Sequence, residues 1–349
     1  MENKEIIDEE LFESKPKLSY AGKTVIYTII INVLLIAAVL ISSLLIFLKT
    51  YEFAETNALN SQLNETHILA EELNTWVSEY AVLMKELAKD VAYYTPKEKD
   101  AVQESFQKAL YGHENILLYF AVYEDNSSVW SDYWEAPLDY DYEVCPFYTE
   151  PRSNNRFTYV EPEWDVVSEK MVIIMGMPVF DENGVRKAIF GNYINLDDVV
   201  AKISTLNENA DEYRYTFLID GSGNIIAHPN KDYVQTEDVR INMRDLTDSQ
   251  YDKLYTAFIE NNEKITSLNK NGYITYFTAS CVGDTGWTLI QATPQADVFS
   301  FITDMSGYIV LVLLACLIIS VSVTVLIFSR IGKEIEELTL AKEGLSEDE

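Results

Sequence analysis

Aromatic and acidic side chains are concentrated between residues 119 and 164. Thirteen of these 46 residues are aromatic, against 12% of the whole chain, and the stretch has ten acidic residues but only two basic ones. Tyrosine and tryptophan join an apolar ring to a polar tip, which suits a concave pocket for a polar ligand. Carboxylates beside such rings favour a neutral or cationic ligand, through ion pairing and cation–π contact. The plainer alternative is an aromatic core beneath a solvated acidic loop.

Patterns typical of catalysis or metal binding are weak by comparison. The chain has three histidines in unrelated contexts, without the spacing of a zinc site or the order of a catalytic triad: His67, His113 and His228. Residues 221–223 (Gly-Ser-Gly) indicate a turn, because a phosphate-binding loop needs a lysine and a following helix. Residues 139–143 alternate acidic side chains but lack the glycine and terminal glutamate of a calcium loop. We expect no enzymatic activity, no cofactor and no metal.

The charge balance excludes one class of partner. The chain has 26 basic and 56 acidic residues, which gives a formal net charge of −30. Binding to nucleic acid through a basic face needs clustered lysine and arginine, so we expect no nucleic-acid partner. The same acidity argues against binding to an anionic surface.

Two uncharged apolar runs lie near the ends of the chain, at residues 24–48 and 308–328. The first has about 25 residues, enough to span a hydrocarbon core of ~30 Å, and it is longer than the apolar part of a cleaved signal peptide. We predict two transmembrane helices, the first of them an uncleaved anchor. The alternative for each run is a buried core helix.

Basic residues that flank these runs predict the orientation. Three lysines lie in the tail 1–23 close to the first run and three basic residues follow the second, whereas the segment between them has only Lys49 close to a membrane end. By the positive-inside rule, the tails 1–23 and 329–349 are cytoplasmic and residues 49–307 are extracytoplasmic. We therefore expect a two-pass protein of the inner or plasma membrane.

The segment that must present the aromatic stretch begins with helices. Apolar residues recur mostly at spacings of three and four between residues 59 and 91, which predicts one long helix over about 49–94. Residues 95–98 (Thr-Pro-Lys-Glu) have the sequence of a capping box and predict a second helix to about Leu110. A long helix continuous with a membrane span can transmit a displacement. Its apolar stripe can equally be core and dimer seam.

Strands and hairpins follow the helices. Residues 116–123 form a short apolar run before a turn, and further pairs of apolar runs flank the turns at 181–184, 220–223 and 283–287. Helices followed by antiparallel hairpins indicate an α+β fold, with two sheet modules beside the long helix.

Several short motifs follow one another between the two apolar runs. They lie at 145–148 (Cys-Pro-Phe-Tyr), 160–165 (Val-Glu-Pro-Glu-Trp-Asp), 170–184, 191–198, 217–229 and 285–289 (Thr-Gly-Trp-Thr-Leu). Their order and spacing resemble the double Cache family of extracytoplasmic sensor domains over about residues 49–300. The resemblance implies two stacked PAS-like modules, a membrane-distal one at 95–205 and a membrane-proximal one at 206–300. It also implies that the distal module holds a small ligand.

The amino-acid-binding branch of that family has a recognisable site pattern, and this chain departs from it at two positions. The arginine that grips the ligand carboxylate falls at Cys145, and the aspartate that grips the α-amine falls at Tyr193. A thiol cannot supply a charged bidentate fork, and a phenol cannot replace a carboxylate for an ammonium group. The resemblance, with these departures, predicts a ligand without a carboxylate, either an amine or an uncharged molecule.

The other positions keep the character of a binding site. Tyr140 resembles the first aromatic residue of the pattern, 147–148 (Phe-Tyr) its Trp-Tyr pair, and Asp165 one of its acids, while Glu163 adds a further acid. The candidate ligand-binding residues are Trp130, Tyr140, Phe147, Tyr148, Glu163, Asp165 and Tyr193.

The predicted cytoplasmic end is short, with 21 residues after the second apolar run. Ile331, Ile335, Leu338 and Leu345 have a heptad-like spacing that can pair in a homodimer. No kinase, cyclase or methyl-accepting segment is recognisable, so we expect either a fragment of a longer receptor or a sensor that signals through a separate cytoplasmic partner. The predicted function is a membrane-anchored sensor that binds a small molecule and signals across the membrane. The alternative is an anchored surface domain without a ligand.

Overall fold

The computed structural model describes residues 20–346, apart from residues 114, 207–213, 238, 247–248 and 271. Most of the predicted cytoplasmic tail 1–23 therefore lies outside the described residues. Residues Asn57–Val298 form one compact unit, and the segments before and after it form a second.

A single long helix, α1, runs from Tyr20 to Tyr93, so the predicted long helix is confirmed. In the Asn57–Val298 unit one face of this helix is buried, at spacings of three and four residues. That face consists of Gln62, Thr66, Ala70, Leu73, Val77, Tyr80, Met84, Ala88 and Val91. A capping box follows α1, in which the backbone N–H of Thr95 donates to the carboxylate of Glu98 at 3.0 Å. It leads through a short 3₁₀ turn into α2 (Lys99–Leu110), as the sequence predicts.

The module predicted to be membrane-distal, called the distal module below, contains an antiparallel sheet of five described strands in the order β2-β1-β5-β4-β3. The strands are β1 (Ile116–Tyr123), β2 (Ser128–Trp130), β3 (Thr158–Asp165), β4 (Lys170–Phe180) and β5 (Arg186–Asn195). The segment from β2 to β3 includes α3 (Pro146–Asn154), and α4 (Leu196–Leu206) follows β5. The hairpin between β4 and β5 is the predicted one. The Asp181 carboxylate there accepts backbone N–H groups of Asn183 and Val185 at 2.9 and 2.8 Å.

The proximal module repeats this strand order as β7-β6-β10-β9-β8. Its strands are β6 (Tyr215–Ile219), β7 (Ile225–Ala227), β8 (Ile265–Lys270), β9 (Tyr273–Cys281) and β10 (Thr288–Pro294), with α5 (Ser249–Tyr255) between β7 and β8. The predicted turns at 220–223 and 283–287 connect β6 to β7 and β9 to β10. Two sheets with the same strand order confirm the predicted α+β fold with two modules.

One continuous apolar core joins α1 to both modules. It contains Leu73 and Val77 of the helix together with Phe190 of the distal sheet and Leu289 of the proximal sheet. The opposite face of each sheet has a separate core. The face of the distal sheet that points away from α1 is therefore packed by a different set of side chains from the face that contacts α1.

The second unit contains the predicted membrane segments. The helix α7 (Ser300–Ser346) follows the short α6 (Gln295–Val298). Among the described residues, the apolar parts of α1 and α7 are each long and apolar enough to cross a membrane, and they are not buried by protein. A polar contact joins these two helices: the Thr324 hydroxyl donates to the Asn32 side-chain oxygen at 2.9 Å.

Candidate functional site

Aromatic rings cover the face of the distal sheet that points away from α1. Phe120 on β1 and Tyr193 on β5 have ring centroids 5.7 Å apart, and Phe147 of α3 lies 5.0 Å from Phe120. Trp130 lies 5.1 Å from Phe120, and its indole N–H donates to the Ser128 hydroxyl at 3.0 Å. Trp130, Phe147 and Tyr193 are each less than 8% exposed. Together they form a buried apolar floor.

Two glycines allow the rings and α3 to approach the sheet this closely. Gly176 of β4 and Gly191 of β5 are directly paired. A Cβ at Gly191 would overlap the ring of Phe120, and a Cβ at Gly176 would overlap Pro151 of α3. The glycine pair therefore supports the floor by leaving room above the sheet.

The predicted acids lie on the same face of the sheet as the aromatic floor. Strand β3 shifts its register between Val160 and Glu163, so that Val160 pairs with Ile174 while Glu163 pairs with Val172. Asp165 pairs with Lys170, two residues further along β4. Because opposed residues of an antiparallel pair share a face, Glu163 and Asp165 are directed toward the side that carries the rings.

The phenol of Tyr193 is a buried polar group of this face. The residue is 7% exposed, and no hydrogen bond from its hydroxyl is formed within the described part of the chain. The pKa of Tyr193 is raised well above its ordinary value, chiefly by burial and further by the negative charges of Asp165 and Glu163. A neutral phenol facing two carboxylates can donate a hydrogen bond to a polar ligand.

Tyr140 and Cys145 form the more exposed rim. Tyr140 is 36% exposed and packs edge-on against Trp134, with ring centroids 5.2 Å apart. The Cys145 thiol lies 3.5 Å from the Tyr140 hydroxyl, at the N-cap position of α3. Burial raises the pKa of Tyr140, and the contact with the Cys145 thiol raises it further.

A residue of the proximal module contributes to the electrostatics of the site. Arg240 donates to the Glu161 carboxylate at 3.2 Å, although Glu161 lies on the distal strand β3. Burial raises the pKa of Glu163, Arg240 acts in the opposite direction, and Glu150 and Glu161 raise it again. Arg240 therefore partly compensates a group of three carboxylates.

Tyr148 belongs to the same buried cluster as Trp130, Phe147 and Tyr193, and it also meets a group of ion pairs. Its ring lies beneath the Arg152 guanidinium, with 5.2 Å from the guanidinium carbon to the ring centroid. Arg152 in turn pairs with Glu124 and Glu143. The pKa of Tyr148 is raised chiefly by burial and is affected by this ion-pair group, not by Glu163 or Asp165. The structure thus brings the seven predicted residues to one face of the distal sheet, with Tyr148 on the side of Arg152.

Sequence reasoning missed several residues of this region. Phe120 and Trp134 are part of the ring cluster, and Arg240 reaches it from 79 positions away in the chain. The aromatic stretch contains Phe120 and Trp134, so composition alone could have included them. Arg240 gives no local signal, because its position depends on how the two modules pack.

A family model described as a Cache domain matches residues 50–302. The chain belongs to the Cache domain family. The match confirms the double Cache resemblance, because it covers both sheet modules and most of α1. Among the described residues of this Cache protein, no group of three or more His, Cys, Asp or Glu side chains is placed to hold a metal ion.

Curated relatives and solved structures agree with the family assignment. Methyl-accepting chemotaxis protein PctB of Pseudomonas aeruginosa is 27% identical over 168 residues, which are 48% of this chain and 26% of PctB. The aligned part thus spans about a quarter of the length of that relative.

Two solved structures share the fold. The ligand-binding domain of PctB in complex with L-Arg has a TM-score of 0.52 at 20% identity, covering 70% of this chain and 98% of that domain. The ligand-binding domain of the Pseudomonas fluorescens chemoreceptor CtaA in complex with L-isoleucine has a TM-score of 0.55 at 18% identity, covering 72% of this chain and 96% of that domain.

Proposed function

We propose that this Cache protein is a membrane-anchored sensor whose distal module binds a small molecule and passes a conformational signal across the membrane. One observation carries the proposal: the buried phenol of Tyr193 faces the carboxylates of Glu163 and Asp165 beside a floor of aromatic rings. Membership of the Cache family supports a sensory role, and the similar chemoreceptor domains were solved with amino acids bound.

The proposed ligand lacks a carboxylate and is an amine or an uncharged molecule. A ligand carboxylate would meet the negative charges of Glu163 and Asp165, with a thiol at Cys145 where an arginine would be needed. Two arginines of this region already form ion pairs with the protein. Arg152 pairs with Glu124 and Glu143, and Arg240 pairs with Glu161. An ammonium group would instead gain two carboxylates and aromatic faces.

Each candidate residue has a proposed role in binding. Trp130 and Phe147 belong to the apolar floor, and Tyr140 closes the exposed rim. Glu163 and Asp165 supply negative charge, and the Tyr193 hydroxyl donates a hydrogen bond. Tyr148 packs beside this floor on the side of Arg152.

The proposed topology follows the apolar segments and their flanking charges. Residues 24–48 and 308–328 cross the membrane, the tails 1–23 and 329–349 are cytoplasmic, and residues 49–307 are extracytoplasmic, with the distal module at 95–205 and the proximal module at 206–300. Two apolar helices of sufficient length support this arrangement.

A homodimer is part of the proposal. Ile68 and Val82 of α1 are 66% and 60% exposed, and they are separated by 14 residues, which is two heptads. A second copy would cover this stripe. The signal would then reach a cytoplasmic output domain, on a longer form of the chain or on a separate partner.

A thermal-shift screen tests the proposal. The full chain is reconstituted in lipid nanodiscs and heated with amines, alcohols and amino acids of matched side chain. A ligand at 100 times its Kd stabilises the folded state by about 2.7 kcal/mol, so we expect a clear rise in Tm with one or more compounds that lack a carboxylate. An unchanged Tm across a broad metabolite panel would favour an anchored domain without a ligand.

A further inference from the structure

The buried face of α1 changes its chemistry between Thr66 and Ala70. From Ala70 to Val91 this face is apolar and belongs to the core shared by both modules. One and two turns earlier the buried residues are polar: Thr66 is 0% exposed and Gln62 is 7% exposed. The polar part of the helix face therefore needs polar partners on the proximal sheet.

The face of the proximal sheet that contacts α1 also changes from apolar to polar, beyond Leu289 of β10. Leu289 of β10 lies in the same core as Ala70. Two residues further along β10 comes Gln291, which pairs with Thr216 and Thr278 on the neighbouring strands, and two residues later comes Thr293. All four of these polar residues are less than 5% exposed. Polar rows of the sheet thus lie opposite polar turns of the helix.

Thr66 is bonded at the centre of this polar contact. Its hydroxyl donates to the side-chain oxygen of Gln291 at 2.8 Å and lies 2.5 Å from the hydroxyl of Thr278. The amide nitrogen of Gln291 donates to Glu65 at 3.2 Å. These directional bonds fix the register of α1 on the sheet, which the apolar core beyond Ala70 does less sharply because its contacts are not directional.

The next turn of the helix and the next row of the sheet are not joined in this way. The Gln62 amide nitrogen and the Thr293 hydroxyl are both buried, and neither has a hydrogen-bond partner in the described part of the chain. A helix advances about 6.0 Å in four residues, whereas a strand advances about 6.8 Å in two. In this ideal geometry, with α1 lying along β10 and Thr66 in register on Gln291, the backbone of Gln62 comes about 1 Å short of the level of Thr293.

We propose that this contact is a hydrogen-bond latch with two settings. In the setting seen here Thr66 is bonded to Gln291 and Thr278. In the second setting, α1 is displaced along its axis by about 1 Å. The Gln62 amide then donates a hydrogen bond to the Thr293 hydroxyl, and the hydrogen bond from Thr66 to Gln291 is broken. Helix shifts of about 1–2 Å are typical of switching proteins. The latch gives the sensor described under Proposed function a movement between two discrete states, and it rests on that proposal for its biological role.

A double-mutant cycle on the full chain in nanodiscs, without any ligand, tests the latch. Thr66→Val and Thr293→Val each remove a hydroxyl at nearly constant shape. Alone, T293V should leave Tm unchanged or raise it, because the hydroxyl it removes is buried and unpaired. In the T66V background, where the second setting is favoured, T293V should lower Tm by about 3 °C or more.

Amide exchange of residues 57–70 gives a second readout. T66V alone should change the exchange rate less than threefold, whereas T66V/T293V should exchange at least tenfold faster. Thr275→Val, on the other face of the same sheet, is the control and should have equal effects in both backgrounds. Should T66V not fold, Gln291→Met removes the same Thr66–Gln291 hydrogen bond from the sheet side. T293V is then compared in the wild-type and Q291M backgrounds.

Equal effects of T293V in both backgrounds would overturn the latch and leave a single fixed register. Because no ligand is added, this result would not bear on ligand binding by the distal module. Conversely, a chain that binds nothing could still show the sign reversal of T293V.

Discussion

The Cys145 thiol lies 3.5 Å from the hydroxyl of Tyr140, at the N-cap of α3 and on the rim of the aromatic face. At the position where the resemblance to amino-acid-binding Cache domains places a carboxylate-binding arginine, this chain has a thiol without positive charge. Two carboxylates, Glu163 and Asp165, lie on the same face of the sheet. This pairing of a thiol with nearby acids is the basis of the proposed ligand class.

Replacement of Cys145 by arginine should change the preference of the site. A guanidinium at the rim can bind a carboxylate through two charge-assisted hydrogen bonds, worth about 1.5–3 kcal/mol. We expect Cys145→Arg to improve the affinity for L-leucine at least about tenfold relative to the wild-type chain, measured by calorimetry. Cys281→Arg, at an exposed thiol of the proximal sheet, is the control and should change nothing. Equal effects of the two variants would contradict the assignment of Cys145 to the rim.

Glu163→Gln should stabilise the protein at neutral pH. The pKa of Glu163 is raised by burial, so the folded chain binds more protons than the unfolded chain between the unfolded and folded pKa values. Stability from this group is present below the unfolded pKa and is lost as the pH rises through the folded one. The neutral glutamine avoids that loss, and we expect Tm to rise by roughly 2–4 °C at pH 7 and to be unchanged near pH 4.

The same variant should weaken binding of an amine, because the ligand loses one counter-charge. Glu182→Gln, in the exposed turn between β4 and β5, carries the same charge change and is the control. A Tm gain of equal size at both pH values would show that burial of the Glu163 charge is not its cause.

Gly191→Ala should damage the site floor. The new Cβ would overlap the Phe120 ring and the carbonyl oxygen of Met175, which is part of the sheet backbone and cannot move freely. Overpacking of this kind typically costs about 1–3 kcal/mol. We expect a lower Tm, measured by tryptophan fluorescence. Gly221→Ala, whose Cβ would meet nothing closer than 3.6 Å, should leave Tm nearly unchanged.

His228 should make the proximal module sensitive to acid. The ring is buried among Tyr215, Phe217, Tyr233 and Tyr251, and burial lowers its pKa to about 4. Between the unfolded pKa of about 6.5 and this value only the unfolded chain is protonated, so stability falls as the pH decreases, by up to about 3 kcal/mol.

His228→Gln should therefore flatten the decline of Tm between pH 7 and pH 4.5. Its absolute Tm should be lower at neutral pH, because the bond to the Tyr251 hydroxyl at 2.9 Å is altered. The exposed His113→Gln should keep the wild-type profile. A wild-type slope in His228→Gln would assign the acid sensitivity to other groups.

Some elements were predictable because interactions between sequence neighbours determine them. The turn at 181–184 is set by the Asp181 side chain, and α1 by its repeating apolar face, so both follow from neighbours in the sequence. The helix α3, within the aromatic stretch, was not predicted. It has Pro151 in its interior and few apolar residues, and it is held by packing against Gly176.

The candidate site was predictable only in part, because its geometry depends on non-local contacts. Glu163 and Asp165 face the rings because β3 shifts its register after Val160, which no spacing in the sequence reveals. Phe120 lies in the floor because its neighbour across the sheet is Gly191. Arg240 enters from the other module.

A comparison of ligands that differ only by a carboxylate tests the central claim most directly. Isoamylamine and L-leucine, agmatine and L-arginine, and tyramine and L-tyrosine are such pairs, and isoamyl alcohol adds an uncharged member. Calorimetric titration of the full chain in nanodiscs should give, for one pair or for the alcohol, binding at least ten times tighter without the carboxylate, and Glu163→Gln should weaken binding of the amine. Tighter binding of the amino acid in every pair that binds would contradict the account.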